Sequence, residues 1–217
     1  MPSQFGSVAK IAVVRDEQIN SIGRQDSGSL EINNDTNPYN DRKYVSDPVA
    51  PNSINLYVLG YDNQKNLATL NTLVKKNLAK YLEQYRVLTD EVNILDAFVV
   101  NIAVDFHIVV YRNYNMNDVV ARCIDEIRSF FNISKWQINQ PIIMSDLRLT
   151  IGSVDGVQSV TNVIITNKYR FKDGRDYFEY RYPMEEAMVD DIIYPSLDPC
   201  IFEIRYPETD IVGFARQ

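Results

Sequence analysis

The chain has 217 residues, 45% of them apolar, which is enough for a real core in one medium domain or a small domain with extensions. Its net charge of −7, with no Lys/Arg cluster longer than Lys75-Lys76, argues against nucleic-acid binding, which needs a basic patch or stripe. No apolar run approaches the roughly 18 residues of a membrane span, and the opening MPSQFGSVAKIAVVRDE lacks the basic start and apolar run of a secretory signal.

Residues 8–15 (VAKIAVVR) read as a strand. Residues 16–50 are then rich in Asn, Asp, Ser, Gly and Pro, with almost no apolar spacing. A connection of about 35 residues far exceeds the usual length, which marks an inserted excursion that is functional or disordered. Residues 54–61 (INLYVLGY) form the next predicted strand. From Asn66 to near Arg86, Leu67, Leu70, Val74, Leu78 and Tyr81 fall at helical spacing, with Lys75, Lys76, Lys80 and Glu83 on the other side. Residues 87–96 read as extended. A long strand follows over 97–112, where Ile102, Val104, Phe106, Ile108 and Val110 share one face and Ala103, Asp105, His107, Val109 and Tyr111 the other.

Residues 115–131 give a second helix, capped by Asn115 or Asn117, with Asp118 favourably placed in the first turn. Its apolar stripe is Val119, Val120, Cys123, Ile124, Ile127, Phe130 and Phe131. A third, shorter helix is predicted over 142–153, and an Asp155-Gly156 turn leads into a strand over 157–166. Residues 167–217 are aromatic-rich and weakly periodic, with a predicted hairpin at Asp173-Gly174. The reading is an α+β fold: a two-layer α/β sandwich of split-βαβ kind over residues 1–166, with helices on one face of an open sheet and the insertion at 16–50. An irregular, strand-containing extension over 167–217 follows.

Little in the chain supports catalysis. The single histidine, His107, lies mid-strand beside Asp105, and with Cys123 and Cys200 it has no metal-ligand spacing. Two cysteines make no disulfide framework; Cys123 lies on a helix's apolar stripe and reads as a small buried hydrophobe in a reducing compartment. Adjacent acids such as Glu185-Glu186 and Asp190-Asp191 point to different sides of an element, and if helical they form a solvated acidic face. Phosphate-binding glycine loops are absent. The Gly152 to Gly156 stretch has its serine in the wrong position for a nucleophile elbow, so it reads as a helix end and turn. Trp136 is expected to cover a core edge, with an interface anchor as the alternative.

Four stretches then carry a resemblance: FGSVAKIAVV (5–14), YRVLTDEVNILDAFVVNIAVDFHIVV (85–110), NDVVARCIDEIRSFF (117–131) and NQPIIMSDLRLTIGSVDGVQSVTNV (139–163). Together they resemble the C-terminal part of a baseplate wedge protein of T-even-type contractile-tail bacteriophages, within the broader baseplate J family. The carrying pattern is Arg-x-Leu-Thr-Asp after a helix, then a strand, a helix and a Gly-Val-x-x-Val strand, and its order over 5–163 gives the match its specificity. The resemblance implies a late structural protein of the virion, without enzymatic activity, catalytic residues, cofactor, metal or small-molecule substrate. Such a subunit dimerises, joins other wedge subunits in the ring around the tail hub, and takes part in the change that triggers sheath contraction. Its place is the tail baseplate, after assembly in the host cytoplasm, with no membrane or nucleic-acid partner. Family members are longer, so the chain is expected to be a C-terminal part.

Two other classes stay open: a baseplate component of another contractile injection system, and an enzyme or small-ligand domain, which needs a pocket with convergent polar groups. On physical grounds the expected protein-interface residues are Tyr169, Phe171, Tyr177, Phe178, Tyr180 and Tyr182, because Tyr is enriched at interfaces, together with the insertion at 16–50, which is expected to order upon assembly. The alternative for these aromatics is packing on their own domain.

Overall fold

The computed structural model describes residues 8–15, 53–85, 91–172, 174–195 and 199–217; the predicted insertion at 16–50 lies outside them. The fold is α+β with several sheets. The chain divides into two compact units, Met1–Phe98 and Val99–Gln217. This division differs from the expected boundary at 166/167. Its physical basis is strand pairing in the second unit, where segments after residue 166 complete the sheet.

In the first unit, β1 (Lys10–Arg15) runs antiparallel to β2 (Ser53–Tyr61), with Ala12 opposite Tyr57. The short β3 (Leu67–Ala68) folds back on Gly60 and Tyr61. The Asp62 carboxylate makes that return possible by accepting the Gln64 and Asn66 backbone N–H groups, each at 2.8 Å. The helix predicted from Asn66 therefore starts later, as α1 (Thr72–Leu82), where the Asn71 side chain accepts from Leu73 N at 3.0 Å. Leu67 and Leu70 fit helical spacing by coincidence; Leu67 is fully buried in the hairpin instead. β4 (Glu91–Asp96) lies parallel to β2, and its Asp96 accepts from both Leu70 N and the Lys75 ammonium.

The second unit is organised around β5 (Phe98–Val110), the long alternating strand. α2 (Met116–Phe130) follows, with Asn115 as its cap, accepting from Asn117 N at 2.9 Å. β6 (Ile142–Ile143) leads directly into α3 (Met144–Gly152), so two residues of the predicted third helix are strand. β7 (Val157–Asn167) returns antiparallel along β5, entered through Gly156 at φ +100°. A β-carbon at Gly156 would sit 2.8 Å from Tyr114 and Val119, so both backbone sign and space require glycine.

The segment after 166 is more regular than its composition suggests. β8 (Phe171–Lys172) and β9 (Arg175–Asp176) form the predicted hairpin, with Gly174 at φ +77°. β10 (Met188–Val189) and β11 (Ile192–Ile193) form a second hairpin, and β11 pairs with β6. Asp190 and Asp191 are not helical: they occupy its turn at φ 51° and 64°, the two left-handed positions of a type I′ connection. Arg148 pairs with Asp191 and offsets the adjacent negative charges. β12 (Cys200–Glu203) then pairs with β5, and α4 (Pro207–Asp210) leads into β13 (Ile211–Arg216), which lies parallel to β5 over Val104–Val109.

Helix α2 packs on β13, α3 on β7, and the two helices on each other. Their buried stripes, Val119–Cys123–Ile127 and Met144–Leu147–Ile151, cover one face of the sheet. Beneath them Ile102, Val104, Phe106, Ile108 and Val110 are essentially inaccessible. Trp136 covers an edge of this core, stacked at a tilt against Phe131 with centroids 5.1 Å apart.

Candidate interaction site on the outer face of the β5 sheet

Alternation sends Asp105, His107 and Val109 to the face of β5 opposite the helices. Register extends that face to both neighbours. On β13, Val212 lies beside Asp105, Phe214 beside His107 and Arg216 beside Val109. On β7, Ile164 opposes Asp105 and Asn162 opposes His107. Phe214 keeps 52% of its surface, Ile164 44% and Val212 38%, so three apolar side chains stand on one open sheet face.

The ladder between β5 and β7 is interrupted here. Asn162 pairs with His107 and Val160 with Ile108, which leaves Thr161 as the extra residue of a β-bulge. Its hydroxyl donates to the His107 carbonyl at 3.0 Å, holding the bulge in place. Beside the bulge lies a recess of about 300 Å³ lined by His107, Thr161, Asn162, Phe214 and Arg216, among others. The His107 imidazole lies flat on the Phe214 ring, with centroids 4.8 Å apart and 15° between planes. Among the described residues, the Arg216 guanidinium makes no ion pair, and the Asn162 amide has no hydrogen-bond partner. The site therefore combines an aromatic wall, a cation and an amide beside solvent. It can donate hydrogen bonds, but it contains no activated nucleophile or paired acid and base.

The aromatics expected at an interface divide by burial. Tyr177 is 5% exposed and donates to the Asp210 carboxylate at 2.7 Å. Burial, and then that hydrogen bond, push its hydroxyl above the usual phenol range. Asp210, 2% exposed, is itself raised by burial although Tyr177 and the Tyr206 N–H both donate to it. Tyr182 is also buried, with its ring edge-on to Phe202 at 5.6 Å and its hydroxyl donating to the Tyr194 carbonyl. These two pack within their own unit. Phe178 is half-buried under the Arg205 guanidinium at 5.3 Å, and Tyr169 and Tyr180 are half-buried. Phe171 contributes backbone to β8, and its side chain lies outside the described residues.

The segment bearing these aromatics is pinned by Asn101, 1% exposed on β5. Its amide donates to Glu203 at 2.9 Å and accepts from Phe178 N at 2.9 Å, while its carbonyl accepts from Lys168 N and the Asn167 amide. Cys123 is inert packing: burial raises its thiol to about 11. No group of three or more His, Cys, Asp or Glu side chains is placed to hold a metal among the described residues. None of the described helices is long and apolar enough to cross a membrane.

Sequence reading found His107 and Asp105 on the outer face but missed Phe214, Arg216 and the bulge. Residues 211–216 do alternate, yet Gly213 interrupts the pattern, and a bulge is a relation between two strands that neither strand shows alone. No protein-family model matches the chain, and no curated protein does either.

Proposed function

We propose that this chain is a structural subunit of a contractile-tail phage baseplate, located in the virion tail after assembly in the host cytoplasm. In this reading it self-associates and binds neighbouring wedge subunits in the ring around the hub. It then takes part in the change that triggers sheath contraction. The observation that carries the reading is the order of the four sequence stretches resembling the baseplate J family. Three of them include β5, include most of α2, and run from β6 through α3 into β7, so much of the resemblance falls on consecutive elements of the second unit. The outer sheet face supports a role exercised through protein contacts, because Phe214, Ile164 and Val212 leave apolar surface open there.

Mass spectrometry of purified tail particles tests the proposal. Peptides of this chain should co-purify with intact contractile tails, and their absence from such tails would refute it. Light scattering across a concentration series should also show mass rising toward a dimer.

A further inference from the structure

We propose that the recess between β5, β7 and β13 is a docking site for a segment of a partner protein that presents a carboxylate next to an apolar side chain. The inference rests on the assembly reading only in taking a protein, rather than a metabolite, as the ligand.

Charge complementarity supplies the first argument. Arg216 stands at the recess without an ion pair among the described residues, in a chain whose net charge is −7. A guanidinium presents a planar fork of donors that matches a carboxylate, and the Asn162 amide adds a donor on the opposite wall. Asp105 is the acidic residue on this face. It lies beside Val212 and Ile164, two residues back along β5 from His107, whereas Arg216 lies two residues forward, beside Val109. The register therefore separates the acid from the cation, and an incoming carboxylate is favoured at the Arg216 end.

The second argument concerns the apolar half. Phe214 forms a wall fixed by its stack with His107, so an apolar side chain meets a surface whose conformational freedom is already restricted. Burying what remains exposed of Phe214 removes apolar area from water, which favours association. Shape decides between a protein and a small molecule. Small-ligand pockets enclose most of their ligand, whereas this recess opens onto a face where Phe214, Asn162 and Arg216 are all exposed. Ile164 and Val212, on either side of Asp105, continue the apolar surface beyond it and widen the area that a partner segment could cover.

Third, the recess lies at a specific irregularity. The extra residue Thr161 shifts the register of β7 against β5 between His107 and Ile108, and both Thr161 and His107 line the recess. Bulges of this kind re-aim side chains and cluster at functional surfaces.

The test is a nuclear magnetic resonance titration of the full chain, labelled with ¹⁵N, using three probes: acetyl-aspartyl-phenylalanine amide, its asparaginyl counterpart, and acetate. The aspartyl probe should give saturable shifts at the backbone amides of Asn162, Phe214 and Arg216. Its affinity should fall about tenfold or more on Arg216→Gln or with the asparaginyl probe, the loss expected for one charge-assisted hydrogen bond. Phe214→Ser should weaken the aspartyl probe and leave acetate unchanged. Both side chains are exposed, so unchanged thermal melting shows that the variants fold. The proposal is overturned if the shifts are absent or fall elsewhere, or if Arg216→Gln binds as well as the parent. Acetate binding as tightly as the aspartyl probe would assign the recess to small carboxylates and refute the partner segment. Tail mass spectrometry decides the assembly reading separately, so the two can fail independently.

Discussion

The two faces of β5 differ sharply in burial from Val104 onward. On the inner face Ile102, Val104 and Phe106 are fully buried and Ile108 and Val110 nearly so, beneath two helices. On the outer face, one residue away at each step, Asp105, His107 and Val109 are half-exposed, and the neighbouring strands add the more exposed Ile164 and Phe214. Strand geometry thus separates two tasks within one segment. The inner set supplies the core on which folding depends; the outer set supplies surface that the folded unit presents.

Truncation on each face gives the sharpest contrast. Phe106→Ala should cost about 3–5 kcal/mol by urea denaturation, because it removes a fully buried ring and leaves a cavity. Phe214→Ala, the same deletion on an adjacent strand, should stay within about 0.5 kcal/mol. Equal losses would mean that the outer face belongs to the core. Next, Asn101→Ala should cost about 2–3 kcal/mol, since it removes one hydrogen bond to the buried Glu203 carboxylate and leaves the Phe178 N–H without its acceptor. Gly213→Val should cost about 2 kcal/mol: a β-carbon there points inward, into the Phe106 ring and to within 2.8 Å of Val120. A neutral result would show that the inner layer yields more readily than its packing implies.

The smallest effect concerns pH. Burial raises the Asp210 carboxyl above its ordinary value, so the folded chain holds this proton more tightly than the unfolded one. Its contribution to stability is therefore full below the ordinary value of 3.8 and is lost as pH rises through the raised value. Asp210→Asn should flatten the stability profile just above pH 3.8. Asp191 has the opposite sign. Its hydrogen bond from Arg148 holds it below the ordinary range, so its contribution disappears only as pH falls through that lower value. The two windows are distinct, and chemical denaturation at a series of pH values resolves them.

Periodicity revealed most of the inner layer in advance. The alternation of β5 and the Val119, Cys123 and Ile127 stripe of α2 are local patterns, and burial follows them closely. Where a side chain overrode the pattern, the reading slipped: Asp62 turns the chain at a point where Leu67 and Leu70 fit a helix. The segment after 166 was harder to read because its strands are short and find distant partners. Asn101 holds part of it through hydrogen bonds that no spacing encodes. The aromatic content pointed outward at Tyr177 and Tyr182, yet each found an acceptor for its hydroxyl, which is what allows a tyrosine to enter a core.

The parallel pairing of β13 with β5 has a consequence for the order of folding. The partners are about a hundred residues apart in sequence, and loop closure over that distance must precede any gain from the pairing. During synthesis, β5, α2, α3 and β7 all emerge before residues 211–216 can dock. For that interval one edge of β5 stays unpaired beside a Phe106 that Gly213 does not yet cover. A nascent chain in this state offers a free strand edge and an uncovered aromatic ring to its neighbours. The β13 strand thus acts as a closure step, and its arrival removes the free edge of β5 and covers the Phe106 ring.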